Sequence, residues 1–317
     1  MLVKEYQESR MSMNKSRVSE QADLVIRPLA ILHVPNGSDL EAVIDQWLHA
    51  IATDSQFYCN PKVIKPKILK RNVIKLLRDE GLFTTRETFF NDVFGSLSLK
   101  PDLNSKFRFI DMFAGIGGVR LGFQQNGGAC VFSSEFDKHA QMTYKHNHGE
   151  LPFGDITKIP VNEIPDHDIL LAGFPCQAFS VAGHRQGFDD EKGRGNLFFN
   201  IYKILKVKTP KVFLLENVKN LQNHDNGNTY KTIVKYLNDL GYSVTSKVLN
   251  SMDYGNVPQT RERVYIIGFK DESDWIVGDG SLTDSFKWPN KIDRTVSIVD
   301  ILNKKVDEVF YYERFAC

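Results

Sequence analysis

Apolar and polar positions along this chain change rhythm near residue 105. Before it, apolar residues recur at helical spacing with few glycines. Ile64, Ile68, Leu69, Val73, Ile74, Leu76 and Leu77 are interleaved with Lys62, Lys65, Lys67, Lys70, Arg71, Lys75 and Arg78. At a 3.6-residue period this predicts an amphipathic basic helix from Lys62 to Arg78, ended by Gly81. A second short helix is expected after Thr84-Thr85, so the pair reads either as a helix-turn-helix or as a helical appendage with a solvated basic face. From Phe107 onward the pattern becomes short apolar runs separated by amphipathic segments. Strands are expected at Phe107–Met112, Ala129–Ser133, Ile169–Ala172, Val212–Leu215, Ser243–Leu249 and Val264–Phe269, with helices between most of them, such as Leu197–Lys208 and Thr229–Leu240. Such alternation predicts an α/β fold, a mostly parallel sheet with helices on both faces. The expected division is a helical N-terminal extension over 1–105, a catalytic domain over 106–270 and the start of a further region over 271–317.

Composition narrows the class without choosing the chemistry. A chain of 317 residues with 42% hydrophobic and 25% charged positions has the texture of a globular protein with a sizeable core. The formal net charge of +1 means that any nucleic-acid contact must come from local patches. Four scattered cysteines, without a CxxC pair, fit neither a disulfide framework nor a zinc ribbon, and no metal site is expected. No stretch is long and apolar enough to span a bilayer, and the charged N-terminus lacks a signal core, so a cytoplasmic setting is expected, with no membrane contact.

Candidate chemistry sits where the strands end. The first strand runs into Phe113-Ala114-Gly115-Ile116-Gly117-Gly118 and then a helix start, a turn in which glycines let backbone approach a ligand beside helix N-terminal amides. The spacing departs from GxGxxG and no GK[ST] follows, which disfavours dinucleotide and P-loop sites. Glu135, after the second strand, is placed to accept hydrogen bonds from ribose hydroxyls, and Phe136 offers a face to a purine. Asp155, in Phe153-Gly154-Asp155-Ile156, either bonds an adenine amino group or caps the following turn. The third strand leads to Phe174-Pro175-Cys176-Gln177, whose thiol reads either as a nucleophile or as one more small buried side chain. Glu216, in Glu216-Asn217-Val218, is either a carboxyl at a substrate edge or a local partner of Lys219.

Taken together, these segments resemble the cytosine-C5 DNA methyltransferases of bacterial restriction–modification systems. The Gly-rich turn, the acid after strand two, the Gly-Asp-Ile turn, Pro-Cys-Gln, Glu-Asn-Val and Gln259-Thr260-Arg261-Glu262-Arg263 occur in the family's order over residues 107–269. The resemblance implies a Rossmann-like, S-adenosylmethionine-dependent methyltransferase fold. It implies double-stranded DNA as partner and a methyl transfer to cytosine C5 through a covalent Cys176–C6 adduct on a flipped base. Cys176, Glu216, Arg261 and Arg263 would then be catalytic, with Arg263 on the cytosine O2 and Arg261 near the thiol or a phosphate. Asp111, Phe113, Gly115, Gly117, Glu135, Phe136, Asp155, Ile156 and Leu197 would line the cofactor site. Pro175, Gln177 and Asn217 would contact substrate, and the Gly-rich stretch Ala178 to Gly195 suits a loop closing over DNA.

The resemblance is incomplete downstream. In the family, a target-recognition region and a late Gly-Asn-Ser helix follow the Gln-x-Arg-x-Arg strand, and neither is recognisable before Cys317. One subunit of a split methyltransferase whose second polypeptide supplies recognition, a truncated or frame-shifted product of a longer gene, and a degenerate copy that methylates nothing are the expectations this leaves. A tRNA cytosine-C5 methyltransferase and a DNA-binding regulator acting through residues 1–105 are the competing functions. The first is disfavoured by the absence of a Cys-Phe-Thr segment.

Overall fold

A computed structural model describes residues 17–35, 37–175, 197–270, 287–303 and 306. Four helices open it: α1 (Arg17–His33), α2 (Leu40–Ala52), α3 (Pro66–Asp79) and α4 (Arg86–Phe94). Then come β1 (Phe107–Met112), α5 (Gly118–Gln125), β2 (Gly128–Ser134), α6 (Lys138–His148) and β3 (Ile169–Gly173). They are followed by α7 (Leu197–Lys208), β4 (Val212–Val218), α8 (Asn228–Asp239), β5 (Ser243–Asn250), the single turn α9 (Ser251–Tyr254), β6 (Glu262–Phe269) and a second single turn, α10 (Ile298–Ile301).

The strands form one six-stranded sheet in the order β2-β1-β3-β4-β6-β5. The pairs β2–β1, β1–β3 and β3–β4 are parallel, and β6 runs antiparallel to both β4 and β5. Side chains alternate between two covered faces, as a sheet buried on both sides requires. Phe109, Cys130 and Leu171 pack under Val119 and Phe123 of α5. Ile110, Met112, Leu170, Ala172, Phe213 and Leu215 face the main core on the other side. The expected strands all lie within observed ones. The basic helix starts later than its periodicity suggests, at Pro66, because the fixed φ and missing N–H of proline suit the first helical position.

The N-terminal helices share the core of the sheet. Ala42 to Ala52 of α2 are all buried, and their apolar members belong to one cluster with Ile110, Phe132 and Phe153. The seam is polar as well as apolar. Between Phe109 and Ile110 the β1–β2 register skips Val131, a bulge, and the Val131 carbonyl accepts from Gln46 Nε2 at 3.1 Å. Gln46 Oε1 in turn accepts from the Tyr58 amide at 2.9 Å, and the Tyr58 and Phe153 rings lie 4.4 Å apart. Asp45 accepts from the Leu151 amide and pairs with Lys145, both at 3.0 Å. In α3, Leu69, Val73 and Leu77 are buried while Lys67, Arg71 and Lys75 form an exposed ridge. Thr85 caps α4 by accepting from the Thr88 amide. Among the described residues, no helix is long and apolar enough to cross a membrane.

Candidate active site

The C-terminal ends of β1, β2, β3 and β4 lie side by side, which is where open α/β sheets bind ligands. At the end of β1 the backbone departs from ordinary conformations. Phe113 has φ +55°, Gly115 +55° and Gly117 +89°. A non-glycine residue in the left-handed region costs free energy that its surroundings must offset, and such residues gather at functional turns. A side chain at Gly117 would place its Cβ 2.1 Å from Nε2 of His148, whereas nothing lies within 4 Å of a Cβ built on Gly115. The turn is therefore packed beneath Gly117 and open above Gly115.

Glu135 faces this opening. Its carboxylate accepts from the Gly115 and Asp137 amides, each at 2.8 Å, so one acid clamps the β1 turn and the start of α6 together. Phe136 beside it is 75% exposed and Ile116 across the turn is 56% exposed. Phe153 bridges to Ser134, which brings Asp155 alongside. Oδ1 of Asp155 accepts from the amide and hydroxyl of Thr157, capping the short 3-10 turn Ile156–Lys158, and Oδ2 lies 3.6 Å from Lys158. Capping thus occupies one oxygen only. Ile156 is buried and Leu197, the first residue of α7, is half-buried. An open backbone cradle, a fixed carboxylate, a second acid and an unpacked aromatic face form a donor set that fits an adenosine-bearing cofactor.

Asp111 is placed differently from its neighbours in this set. It is 1% exposed on the α5 side of β1, and its Oδ2 has no hydrogen-bond partner among the described residues. Burial pushes its pKa up to about 8, with Arg120 pulling it down and Glu135 and Glu150 pushing it up. Burial acts the opposite way on His148 and His167, bringing them down to about 3 and about 4. The histidines contribute stability that is present above their ordinary value of 6.5 and lost as pH falls through the folded values. Asp111 contributes stability that is lost as pH rises from 3.8 through about 8. Between about pH 4 and 6.5 unfolding takes up two histidine protons and releases one from Asp111, so acidification destabilises. Of these three groups only Asp111 releases a proton on unfolding above pH 6.5, so its contribution falls as pH rises toward about 8. Urea titrations across this range are expected to show maximal stability at about pH 6.5. Asp111→Asn should flatten the alkaline limb, and an unchanged limb would mean that Asp111 is ionised in the native state.

A second group of side chains meets one strand further along. Gly173 at the end of β3 pairs in register with Glu216 on β4, and a Cβ on Gly173 would lie 3.6 Å from Glu216 Oε2 and 3.9 Å from the Phe113 carbonyl. The glycine thus lets the carboxylate, the cofactor turn and the root of the Pro175 corner converge. Glu216 Oε1 pairs with Arg263 Nε at 3.0 Å and lies 3.8 Å from Arg261. Arg263 lies on β6 and Arg261 one residue ahead of the strand, and because β6 runs antiparallel beside β4, Arg263 stands opposite Val218. Lys219 pairs with Glu262 instead, at 3.0 Å, so the local Glu216–Lys219 pairing considered from the sequence does not form. Asn217 is buried and donates to the Phe174 carbonyl at 2.9 Å, tying β4 to the corner that precedes the thiol. Pro175 is exposed; Cys176, Gln177 and the stretch Ala178 to Gly195, expected to form a closing loop, lie outside the described residues.

Sequence reasoning missed the polar group beneath the cofactor turn. Arg120 is 1% exposed and pairs with Glu150; it also donates to the Tyr144 hydroxyl at 2.8 Å and to Gln124 at 3.0 Å. Burial alone would raise the Glu150 pKa, but Arg120 and His49 outweigh it and bring it down to about 2. The only sequence signal was the i, i+4 placement of Arg120 and Gln124 on α5, and by composition that pair reads as solvated.

Sheet order, the glycine turn at the end of β1 and the acid at the end of β2 define the S-adenosylmethionine-dependent methyltransferase class of α/β folds. Within it, the chain belongs to the C-5 cytosine-specific DNA methylase family, whose model matches residues 107–316. Relatives include the Type II methyltransferase M.HaeII of Haemophilus aegyptius, 62% identical over 167 residues, covering 53% of this chain and 52% of that protein. M.NgoBI of Neisseria gonorrhoeae is 59% identical over 165 residues, covering 52% and 51%. M.DsaV of Dactylococcopsis salina is 50% identical over 205 residues, covering 65% and 56%. The chain spans about half the length of these curated relatives.

Proposed function

We propose that this chain carries the catalytic centre of a cytoplasmic restriction–modification enzyme. It would transfer a methyl group from S-adenosylmethionine to C5 of cytosine in a specific double-stranded DNA sequence. The observation that carries the reading is the Glu216 carboxylate set against Gly173, two residues before Pro175, and paired with Arg263. Cytosine C5 is a weak nucleophile. Addition of the Cys176 thiolate to C6 forms an S–C6 bond and moves electron density toward N3 and C5. Glu216 supplies a proton or hydrogen bond to N3 as charge builds there, and Arg263 holds O2. The bound cofactor supplies the electrophilic methyl group. Loss of the C5 proton to a base then drives elimination, the S–C6 bond breaks, and the thiolate returns. Arg261 sits near the thiol or a DNA phosphate, favouring the thiolate. Asn217 fixes the corner through Phe174, and Pro175 and Gln177 bound the pocket of the flipped base. Asp155, Ile156, Glu135, Phe136, Phe113, Gly115, Gly117 and Leu197 line the cofactor side, with Asp111 supporting from beneath. A second polypeptide would supply recognition of the target sequence.

The test uses a duplex containing 5-fluorocytosine, from which the C5 substituent cannot leave, and S-adenosylmethionine labelled on the methyl group. The protein, with and without the product of the adjacent gene, is expected to form a denaturant-stable labelled adduct that Cys176→Ala abolishes. An adduct that survives the substitution would move the nucleophile elsewhere. No adduct in either condition, with no cofactor binding by calorimetry, overturns the reading.

A further inference from the structure

The helices ahead of residue 107 reach the cofactor turn through buried charge. His49, on α2, places Nδ1 3.0 Å from Oε2 of Glu150, off the line of a well-directed hydrogen bond, with both side chains about 5% exposed. The other oxygen of Glu150 pairs with Arg120, which stands in the first turn of α5, directly after the Gly115–Gly117 turn. From the same side, Asn147 donates to the Ile116 carbonyl at 3.1 Å, and the His148 ring fills the space under Gly117. The Tyr144 ring lies 4.8 Å from that of His148 and carries the hydroxyl that Arg120 grips. His49 is itself held in place, edge-on to Phe94 of α4 at 4.5 Å.

A buried carboxylate needs compensation on both oxygens, and a site held by locked neighbours keeps its geometry better than one on a free loop. We propose that His49 is a positioning residue for the cofactor turn, acting through Glu150 and Arg120, so that the N-terminal helices form part of the cofactor site's support. This rests on the cofactor reading above. Without His49, one oxygen of Glu150 is uncompensated, Arg120 shares its charge differently, and the floor under Gly117 loosens. The turn then samples conformations in which the Gly115 amide no longer meets Glu135.

The experiment compares the protein with His49→Ala and His49→Gln, the second keeping a donor toward Glu150. Ile51→Val serves as a control that weakens α2 packing without touching the network. Amide hydrogen exchange over 113–119 is measured in the ligand-free protein, and calorimetry measures S-adenosylhomocysteine affinity. His49→Ala is expected to weaken binding on the order of tenfold and to speed exchange over 113–119 by a similar factor. His49→Gln should restore most of both, and Ile51→Val should leave both unchanged despite lower thermal stability. Equal binding and exchange in His49→Ala and the unsubstituted protein overturns the proposal. If His49→Ala does not fold, His49→Phe, which keeps a ring against Phe94 but has no donor toward Glu150, takes its place, and equal binding and exchange in His49→Phe and His49→Gln overturns the proposal. Should the unsubstituted protein bind no S-adenosylhomocysteine, the cofactor reading fails, while the exchange data still decide whether His49 braces the turn.

Discussion

Glu216→Gln is expected to slow methyl transfer by about 10²- to 10⁴-fold, the usual contribution of a positioned acid or base, while leaving fold and cofactor affinity in place. Glutamine keeps the size and planarity of the side chain and retains an oxygen for Arg263, which now sits 3.0 Å from the carboxylate. It cannot hand a proton to N3, so charge developing there during thiolate addition goes unneutralised. The side chain is 19% exposed near the C-terminal end of β4, and glutamine keeps its size there, so the substitution should barely move the unfolding midpoint. The measurement is a single-turnover rate, with protein in excess over duplex, in the preparation that forms the Cys176 adduct. A rate within a few-fold of the unsubstituted protein would mean that Glu216 serves only to orient Arg263. Arg263→Lys would separate those roles, since a lysine keeps the charge and loses the planar fork.

What was legible in the sequence follows from where each signal originates. The strands of a sheet buried on both faces read as apolar runs, so Ile169–Ala172 and Val212–Leu215 could be placed without tertiary information. Residues at the ends of those strands inherit their positions, which is why Glu135 and Glu216 could be singled out from the sequence. Arg263 needed one more fact, the antiparallel course of β6, which no local pattern specifies. The network under the turn was illegible for a different reason. His49, Arg120 and Glu150 lie on three separate segments, and each alone looks like an ordinary surface residue. Only packing of α2 against the bulged strand β2 shows that they meet. The same packing bears on residues 1–105 as a detachable DNA-binding module. A helix whose Trp47, Leu48 and Ile51 share a core with Phe132 and Phe153 has no reason to hold its fold when cut away.

The energetic weight of that seam gives the second large effect. Arg120→Met is expected to lower unfolding free energy by about 3–5 kcal/mol, because removing one member of a buried ion pair leaves the other charged, dry and unmatched. Glu150 would retain only His49, and the Tyr144 hydroxyl and Gln124 would each lose a donor. Against a typical total of about 5–15 kcal/mol, this threatens the folded state itself, so urea unfolding should be run with saturating S-adenosylhomocysteine as well as without. The double variant Arg120→Met with Glu150→Leu should recover much of the loss, since a buried pair replaced by apolar residues of similar volume is often neutral. Recovery would locate the cost in uncompensated charge rather than in lost packing by Arg120. If the double variant is as unstable as the sum of the singles, the two residues are not coupled, and the path from His49 to the cofactor turn loses its middle link. If stability recovers but cofactor affinity does not, then the polar contacts themselves, and not merely a filled interior, hold the Gly115–Gly117 turn in its binding shape.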